Sequence, residues 1–189
     1  MAHPKRAITR EIRTRRAKRP GRGSDELEAL TWPEKAIRVG ELMTRSPRTV
    51  RWGATVGVAW KLMRDRKIRH LPVLDDTGRL VGIVTDRDLR QVIFDPSIQE
   101  QLGSLPRALN VLTVREVMTW GVVTVQPETE VRQAARIMHE QKIGALPVAR
   151  GGRVVGMLTE TDILKVFVRV LEEGIVSRPE RWGRGEDAR

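Results

Sequence analysis

The sequence contains the same pattern twice, and this internal repeat constrains the fold more than any other feature of the chain. A shift of 75 residues places Leu71-Pro72-Val73 on Leu146-Pro147-Val148. The second copy is then shortened by one residue, and a shift of 74 places Gly82–Asp88 on Gly156–Asp162. Self-similarity at a fixed period is the signature of a repeated structural unit. We therefore predict two units with the same fold.

Each repeat predicts the element order β-α-β-β-α, which is an α+β fold. A small strand near Thr49-Val50, or across residues 122–125 in the second repeat, precedes a helix with apolar residues at helical spacing. Thr129 is the predicted N-cap of the second of these helices. Because proline has no backbone N–H, we expect Pro72 and Pro147 at the start or the edge of a strand.

The most informative segment of each repeat is Gly-x-x-Thr-x-x-Asp, at Gly82–Asp88 and Gly156–Asp162. An apolar run ends at the threonine, which predicts a buried strand followed by the first turn of a helix. A helix N-terminus attracts phosphate; the threonine hydroxyl could add to that site, and the aspartate could accept hydrogen bonds from a ribose. The alternative is a capping box that needs no ligand, and for a single such motif it is the more frequent explanation. The occurrence of the motif in both repeats favours the ligand.

Net charge is unevenly distributed, because residues 1–24 carry +8 of the net charge of +11. We predict a basic, flexible arm in residues 1–24. The arm could bind nucleic acid or an acidic partner by neutralising charge, or it could serve only solubility. It contains no aromatic residue that would stack on bases.

Composition limits the remaining possibilities. There is no cysteine and there are three scattered histidines, which disfavours disulfides and a dedicated metal site. No run is apolar enough to span a bilayer and no signal peptide is recognisable, so we expect a cytoplasmic protein without a membrane span. The motifs G-x-x-x-x-G-K-[ST], H-E-x-x-H and G-x-S-x-G are missing, and we predict that the chain is not an enzyme.

The ordered set of motifs resembles a tandem pair of CBS domains, the regulatory module named after cystathionine β-synthase. The resemblance covers residues 39 to about 171 and rests on Met43-Thr44, Met118-Thr119, the two Leu-Pro-Val strands and the two Gly-x-x-Thr-x-x-Asp segments. It implies that two β-α-β-β-α repeats pack sheet to sheet with pseudo-two-fold symmetry and leave two clefts. It also implies frequent dimerisation.

We divide the chain accordingly. After the arm, a short helix is expected in residues 25–38. The first repeat with a connecting helix spans 39–112, the second repeat 113–171, and a C-terminal tail 172–189. The closing helix of the second repeat is expected to bury Leu164, Phe167, Val168 and Leu171, and the residues that join the repeats are expected to pack through Ile93, Phe94, Leu102, Leu105 and Leu109.

The resemblance also assigns roles to individual residues. Thr85 and Thr159 would approach phosphate, whereas Asp88 and Asp162 would hold the ribose hydroxyls. The backbone near Thr49-Val50 and Thr124-Val125 would lie along the adenine edge.

The first repeat supplies most of the cations, namely Arg69, His70 and Arg87, where the second has Gly144, Ala145 and Thr161. Arginine suits phosphate well. Without the resemblance, Arg69 and His70 fit a solvated strand end equally well.

We therefore predict a stand-alone regulatory protein, a homodimer, that binds an adenosine-containing ligand and signals by a conformational or dimer change. AMP, ADP and ATP are favoured over NAD and S-adenosylmethionine, and no obligatory cofactor is expected. The alternative is an interaction protein whose basic arm binds nucleic acid or an acidic protein, with clefts that are modulatory or vestigial.

Overall fold

The computed structural model describes residues 36–97, 100 and 103–172, with residue 105 by its backbone alone. The predicted arm, the predicted helix up to residue 35, Leu102 and the tail after Glu172 lie outside the described residues.

The elements of the first repeat, in chain order, are α1 Val39–Leu42, β1 Thr44–Arg45, β2 Val50–Arg51, α2 Val56–Arg66, β3 His70–Leu74, β4 Leu80–Thr85 and α3 Asp86–Phe94.

A connecting helix, α4 Leu105–Val111, precedes the second repeat. It packs on α2 and α3, with Ala108 buried and with Leu109 against the first core, as predicted for Leu109. The elements of the second repeat are α5 Val114–Val117, β5 Thr119–Trp120, α6 Val131–Gln141, β6 Ala145–Arg150, β7 Arg153–Thr159 and α7 Glu160–Glu172. The α+β class and the repeated order are confirmed.

Each sheet contains one strand from the other repeat. The first sheet has the order β2-β3-β4-β5, with β2 parallel to β3 and antiparallel pairing elsewhere. The second sheet has the order β1-β7-β6 and is antiparallel. Strands β1 and β5, which we call the exchanged strands, therefore complete the sheet of the opposite repeat. This reciprocal arrangement relates the two repeats by pseudo-two-fold symmetry.

Two glycines allow the exchanged strands to pack closely. A Cβ atom on Gly82 in β4 would lie 2.6 Å from Met118 Sδ, and one on Gly156 in β7 would overlap the side chain of Met43. Glycine within a strand often marks such a close approach of another segment. Met43 and Met118 immediately precede the exchanged strands, so each repeat packs a methionine on the glycine of the other.

Each repeat has its own hydrophobic core, and a smaller cluster joins them. Fully buried leucines and valines of the strands dominate the two cores, among them Leu71, Val73 and Val84 in the first and Leu146, Val148 and Leu158 in the second. The joining group, which we call the seam cluster, consists of Ile83, Val122, Ala145 and Met157. Burial of apolar surface from both repeats in one cluster holds the two sheets together.

Two predictions about local structure in the second repeat were wrong. The strand expected at 122–125 is reduced to an isolated parallel bridge between Val125 and Val148. Glu130, not Thr129, is the N-cap of α6, because the Thr129 hydroxyl accepts from the Gln126 N–H and its carbonyl accepts from the Val39 N–H.

The two prolines differ. Pro147 lies in β6, the edge strand of the second sheet, as predicted, whereas Pro72 lies inside β3, which has a neighbouring strand on each side. Pro72 pairs with Ile83 and Pro147 pairs with Met157, and both rings are fully buried. The Pro147 carbonyl accepts from Val125 N–H, so this proline borders the short segment beside β6 rather than a long strand. A proline that borders so short a segment interrupts little of the ladder.

The predicted burial of the closing helix was also wrong. Leu164, Phe167, Val168 and Leu171 are all exposed, and Val170 is the buried residue of α7. At the end of α3, Ile93 is buried as expected but Phe94 is exposed. These faces are exposed because no described element packs over them. The helix expected in 25–38 does not reach Arg38, whose backbone is extended and bridges Glu130.

Candidate functional site

The first Thr-x-x-Asp motif forms a capping box at the start of α3. The Thr85 N–H and hydroxyl both donate to Asp88 Oδ2, each at 2.8 Å. The Asp88 N–H donates back to Thr85 Oγ1 at 3.2 Å. These bonds fix the carboxylate at the helix N-terminus through one of its two oxygens.

The second motif repeats this geometry at the start of α7. The Thr159 N–H and hydroxyl donate to Asp162 Oδ2 at 3.0 and 2.7 Å. The other oxygen, Asp162 Oδ1, lies 3.8 Å from Lys165 Nζ. Both motifs are therefore satisfied internally, and a ligand that used the threonine hydroxyl as a donor would have to turn its proton away from the aspartate.

The motif-bearing strands meet between the repeats. Ile83 precedes Thr85 by two residues, Met157 precedes Thr159 by two, and both belong to the seam cluster. Two helix N-termini, each with the positive end of its dipole, consequently lie on either side of one interface. The positive end of a helix dipole can attract an anion at such a place.

The predicted cations of the first repeat lie beside the first motif. His70 pairs with Thr85 across β3 and β4, and the Arg69 carbonyl accepts from the Asp86 N–H at 3.0 Å. Arg69 and Arg87 are exposed, whereas His70 is partly buried.

Burial lowers the pKa of His70 below its usual value, and Arg69 lowers it further. Asp86, Glu160 and Asp88 act in the opposite direction. Glu160 belongs to the second repeat, so the environment of His70 includes both repeats.

At the equivalent place in the second repeat, the neighbouring charged side chain is a carboxylate instead of a cation. A Cβ atom on Gly144 would lie 3.2 Å from Glu160 Oε2, and the Gly144 carbonyl accepts from the Glu160 N–H. Ala145 is buried in the seam cluster, and Thr161 is exposed. The cationic groups are thus concentrated on the first repeat, as the sequence predicted.

Of the predicted adenine-edge residues, Val50 lies in β2, whereas Thr49 and the Thr124-Val125 segment lie outside the strands, and none is next to the motif of its own repeat. Val50 pairs with Val73, three residues from His70 along β3, which corresponds to about 10 Å. In the second repeat Val125 bridges Val148, three residues from Ala145. Thr124, Val125 and Val50 are buried, whereas Thr49 is partly exposed.

Sequence reasoning missed the residues that lie closest to the motif strands from the opposite repeat. Thr119 pairs with Ile83, and Thr44 pairs with Met157, so each exchanged strand runs two residues from a motif threonine. Arg45, next to Thr44, pairs with Gly156, the first residue of the second motif, and its guanidinium donates to the Gly40 carbonyl at 3.1 Å. The signals that could have found this arrangement were the repeated Met-Thr pairs and the glycine within each motif strand.

Two absences hold for the described part of the chain. Residues 36–97, 100 and 103–172 contain no cluster of three or more histidines or carboxylates that could hold a metal ion. Within these same residues, no helix has the length and apolar character required to cross a membrane.

Comparison with known proteins agrees with this architecture. The sequence profile of the CBS domain matches residues 39–95 and 114–169. A CBS domain-containing protein of Dictyostelium discoideum is 36% identical over 137 residues, which cover 72% of this chain and 94% of that protein. Other relatives are longer proteins named as enzymes, and the chain spans 24% of the length of several of them.

Two solved structures with bound adenosine compounds are similar. The CBS domain pair of protein MJ0100 was solved with 5′-methylthioadenosine and S-adenosyl-L-methionine. It has a TM-score of 0.62 and 27% identity, and the match covers 71% of this chain and 98% of that one. CBSX2, a CBS-pair protein of Arabidopsis thaliana, was solved with AMP. It has a TM-score of 0.59 and 29% identity, with the same two coverages.

Proposed function

Because this chain belongs to the CBS domain family, we propose that it is a regulatory protein that binds an adenosine-containing ligand at its two Thr-x-x-Asp motifs. The observation that carries the proposal is that both motifs are intact and hold their aspartates in the same orientation at the interface of the repeats. Similar proteins were solved with AMP, S-adenosyl-L-methionine and 5′-methylthioadenosine, which supports the class of ligand.

In this proposal each aspartate accepts hydrogen bonds from a ribose diol, and each threonine contacts the phosphate. The capping box supports these roles, because a carboxylate already fixed by the backbone loses little freedom when a ligand binds. Thr49-Val50 and Thr124-Val125 would follow the adenine edge. AMP, ADP or ATP is the preferred class, since Arg69 and Arg87 complement a phosphate beside the first motif.

The ligand would act by changing the relation between the two repeats. Because the motif strands share the seam cluster, a ligand at either motif would contact groups from both repeats. It can shift the protein between two states only if it binds one of them more tightly. The proposed role is therefore regulatory and includes no catalytic step.

The direct test is a melting series of the full chain with AMP, ADP, ATP, NAD and S-adenosylmethionine. A ligand at one hundred times its dissociation constant stabilises the folded state by about 2.7 kcal/mol. For a protein of this size, we expect the melting temperature to rise by roughly 5–10 °C with at least one adenine nucleotide. Cytidine monophosphate is the matched control for the base.

A series with no shift at millimolar ligand would contradict the proposal and favour the alternative function. That alternative rests on the net charge of residues 1–24 and has the arm bind nucleic acid or an acidic partner. It requires salt-dependent binding that is lost when residues 1–24 are removed.

We also propose that the protein forms a homodimer through the exposed apolar face of α7. Val168 on α7 and Phe94 on α3 are equivalent in the repeat and are exposed by 50% and 72%, so both closing helices present an apolar residue at the same place. Exposed apolar patches of this kind often mark interaction sites.

Val168→Glu is expected to weaken dimerisation at least about tenfold, because it places a charge in an apolar contact. Sedimentation equilibrium measures the effect. Val111→Glu on α4 is the matched control, since Val111 is exposed by 55% but lies on another helix. An equal loss in both variants, or a wild type that is monomeric at high concentration, would refute this interface.

A further inference from the structure

Charged groups from both repeats act on the imidazole of His70. It stands at the first position of β3, opposite Thr85, and is partly buried. The carboxylates of Asp86 and Asp88 on α3 and of Glu160 on α7 of the second repeat act to raise the pKa of His70, whereas Arg69, which precedes it in the chain, acts to lower it. Charges beside both motifs therefore act on the imidazole of His70.

Without a ligand the balance favours the neutral imidazole. Burial lowers the pKa of His70 most, Arg69 contributes in the same direction, and the three carboxylates only partly compensate. The ordinary pKa of histidine is about 6.5, so a lowered value leaves His70 uncharged at neutral pH.

A bound phosphate would reverse this balance. A negative charge within a few ångströms favours the protonated form of histidine and partly cancels the effect of Arg69. The position that matches His70 in the second repeat is Ala145, which cannot respond in this way. Of these two matched positions, the one in the first repeat therefore carries the group that couples ligand charge to a proton.

We propose that His70 selects the ligand by its charge: the imidazole takes up a proton from solvent when a phosphorylated nucleotide binds, and it stays neutral when an uncharged nucleoside binds. This inference rests on the proposed function, since it requires a ligand at the motifs. Proton uptake on binding means that the affinity for AMP rises as pH falls. The affinity for adenosine does not change with pH in this way, so His70 determines specificity for the phosphate.

The test is isothermal titration of the full chain with AMP and with adenosine, between about pH 6.5 and 8, in two buffers with different heats of ionisation. For AMP we expect uptake of a fraction of one proton and an affinity that rises, as pH falls, by at most about tenfold over the whole range, because an imidazole titration that moves by about one pH unit can contribute no more. His70→Gln should remove this uptake while AMP still binds. His139→Gln, which changes an exposed histidine on α6, is the matched control and should behave as wild type.

Because the phosphate of the nucleotide itself ionises near pH 6, the effect of His70 is the difference between wild type and His70→Gln in the same series. Proton NMR of the wild-type imidazole gives a second measurement that needs no variant of this residue. Its titration should move upward by about one pH unit with saturating AMP and stay in place with adenosine.

Three results would overturn the inference. The first is AMP binding with the same pH dependence in wild type and His70→Gln, and the second is an imidazole titration that AMP does not move. The third is equal proton uptake with adenosine. Each of these leaves the proposed function intact, whereas a complete lack of binding by both ligands at every pH would refute the proposed function as well.

Discussion

Replacing Gly82 with alanine is expected to lower the free energy of unfolding by about 2–3 kcal/mol, because the new methyl group has no room in β4. Its Cβ would lie 2.6 Å from Met118 Sδ and 2.8 Å from the Thr119 carbonyl oxygen. The methionine side chain could move, but the carbonyl belongs to the exchanged strand β5 and is fixed by its pairing with β4. A thermal scan should show a melting temperature lower by roughly 5–12 °C.

Gly156→Ala is the matched control, since it makes the same change at the equivalent position of the second repeat. The three nearest atoms to its Cβ all belong to the side chain of Met43, which is partly exposed. Rotation can move Sδ and Cγ, so that Met43 Cβ, at 3.2 Å, is the close contact that remains. We expect a loss of only about 1 kcal/mol. Met43→Ala should relieve the second substitution, whereas Met118→Ala should not fully relieve the first. Equal losses at the two glycines would contradict this account of the exchanged strands.

Replacing both Asp88 and Asp162 with asparagine is expected to abolish the stabilisation by AMP, about 2.7 kcal/mol at one hundred times the wild-type dissociation constant. An asparagine can still accept from the threonine N–H and so preserve the helix cap. The asparagine side chain has one neutral oxygen acceptor, however, whereas the carboxylate has two oxygens that share a negative charge. It therefore holds a ribose diol poorly. The melting series that detects AMP binding to wild type measures this loss.

The two single variants show which motif binds. If one of them loses the whole response, the ligand occupies that motif alone, and partial losses in both indicate two occupied sites. Asp86→Asn is the control, since Asp86 lies in the same turn as Asp88 but pairs with Arg90 at 2.7 Å instead of forming the cap. A response to AMP that persists in the double variant would contradict the proposed role of the aspartates.

Much of the fold could be predicted from the sequence because its signals are local. The strand, turn and helix of Gly82–Asp88 follow from an apolar run, a capping threonine and an aspartate three residues later, and the structure has these elements. The same segment recurs at Gly156–Asp162, so one interpretation applied twice. The concentration of cations at Arg69 and His70 was likewise visible in the residues themselves.

The features that could not be predicted depend on contacts between distant segments. The pairing of Thr44 with Met157 joins the beginning of one repeat to the end of the other, and no local pattern in either segment specifies its partner. Periodicity also predicted that α7 is amphipathic, but not that Phe167 and Val168 lie on a face without a partner in the described chain. Helix periodicity identifies the apolar side, whereas the arrangement of neighbouring elements decides whether that side is covered.

The exchanged strands have a consequence for how the chain reaches its native state. Neither sheet can be completed from its own repeat alone, because the first needs β5 from the start of the second repeat and the second needs β1 from the first. Such long-range pairing raises the contact order and slows folding. A repeat produced alone would expose an open edge along its motif strand, and an open edge readily pairs with another chain. Domain swapping between two copies would then be the failure expected of a truncated or half-folded molecule.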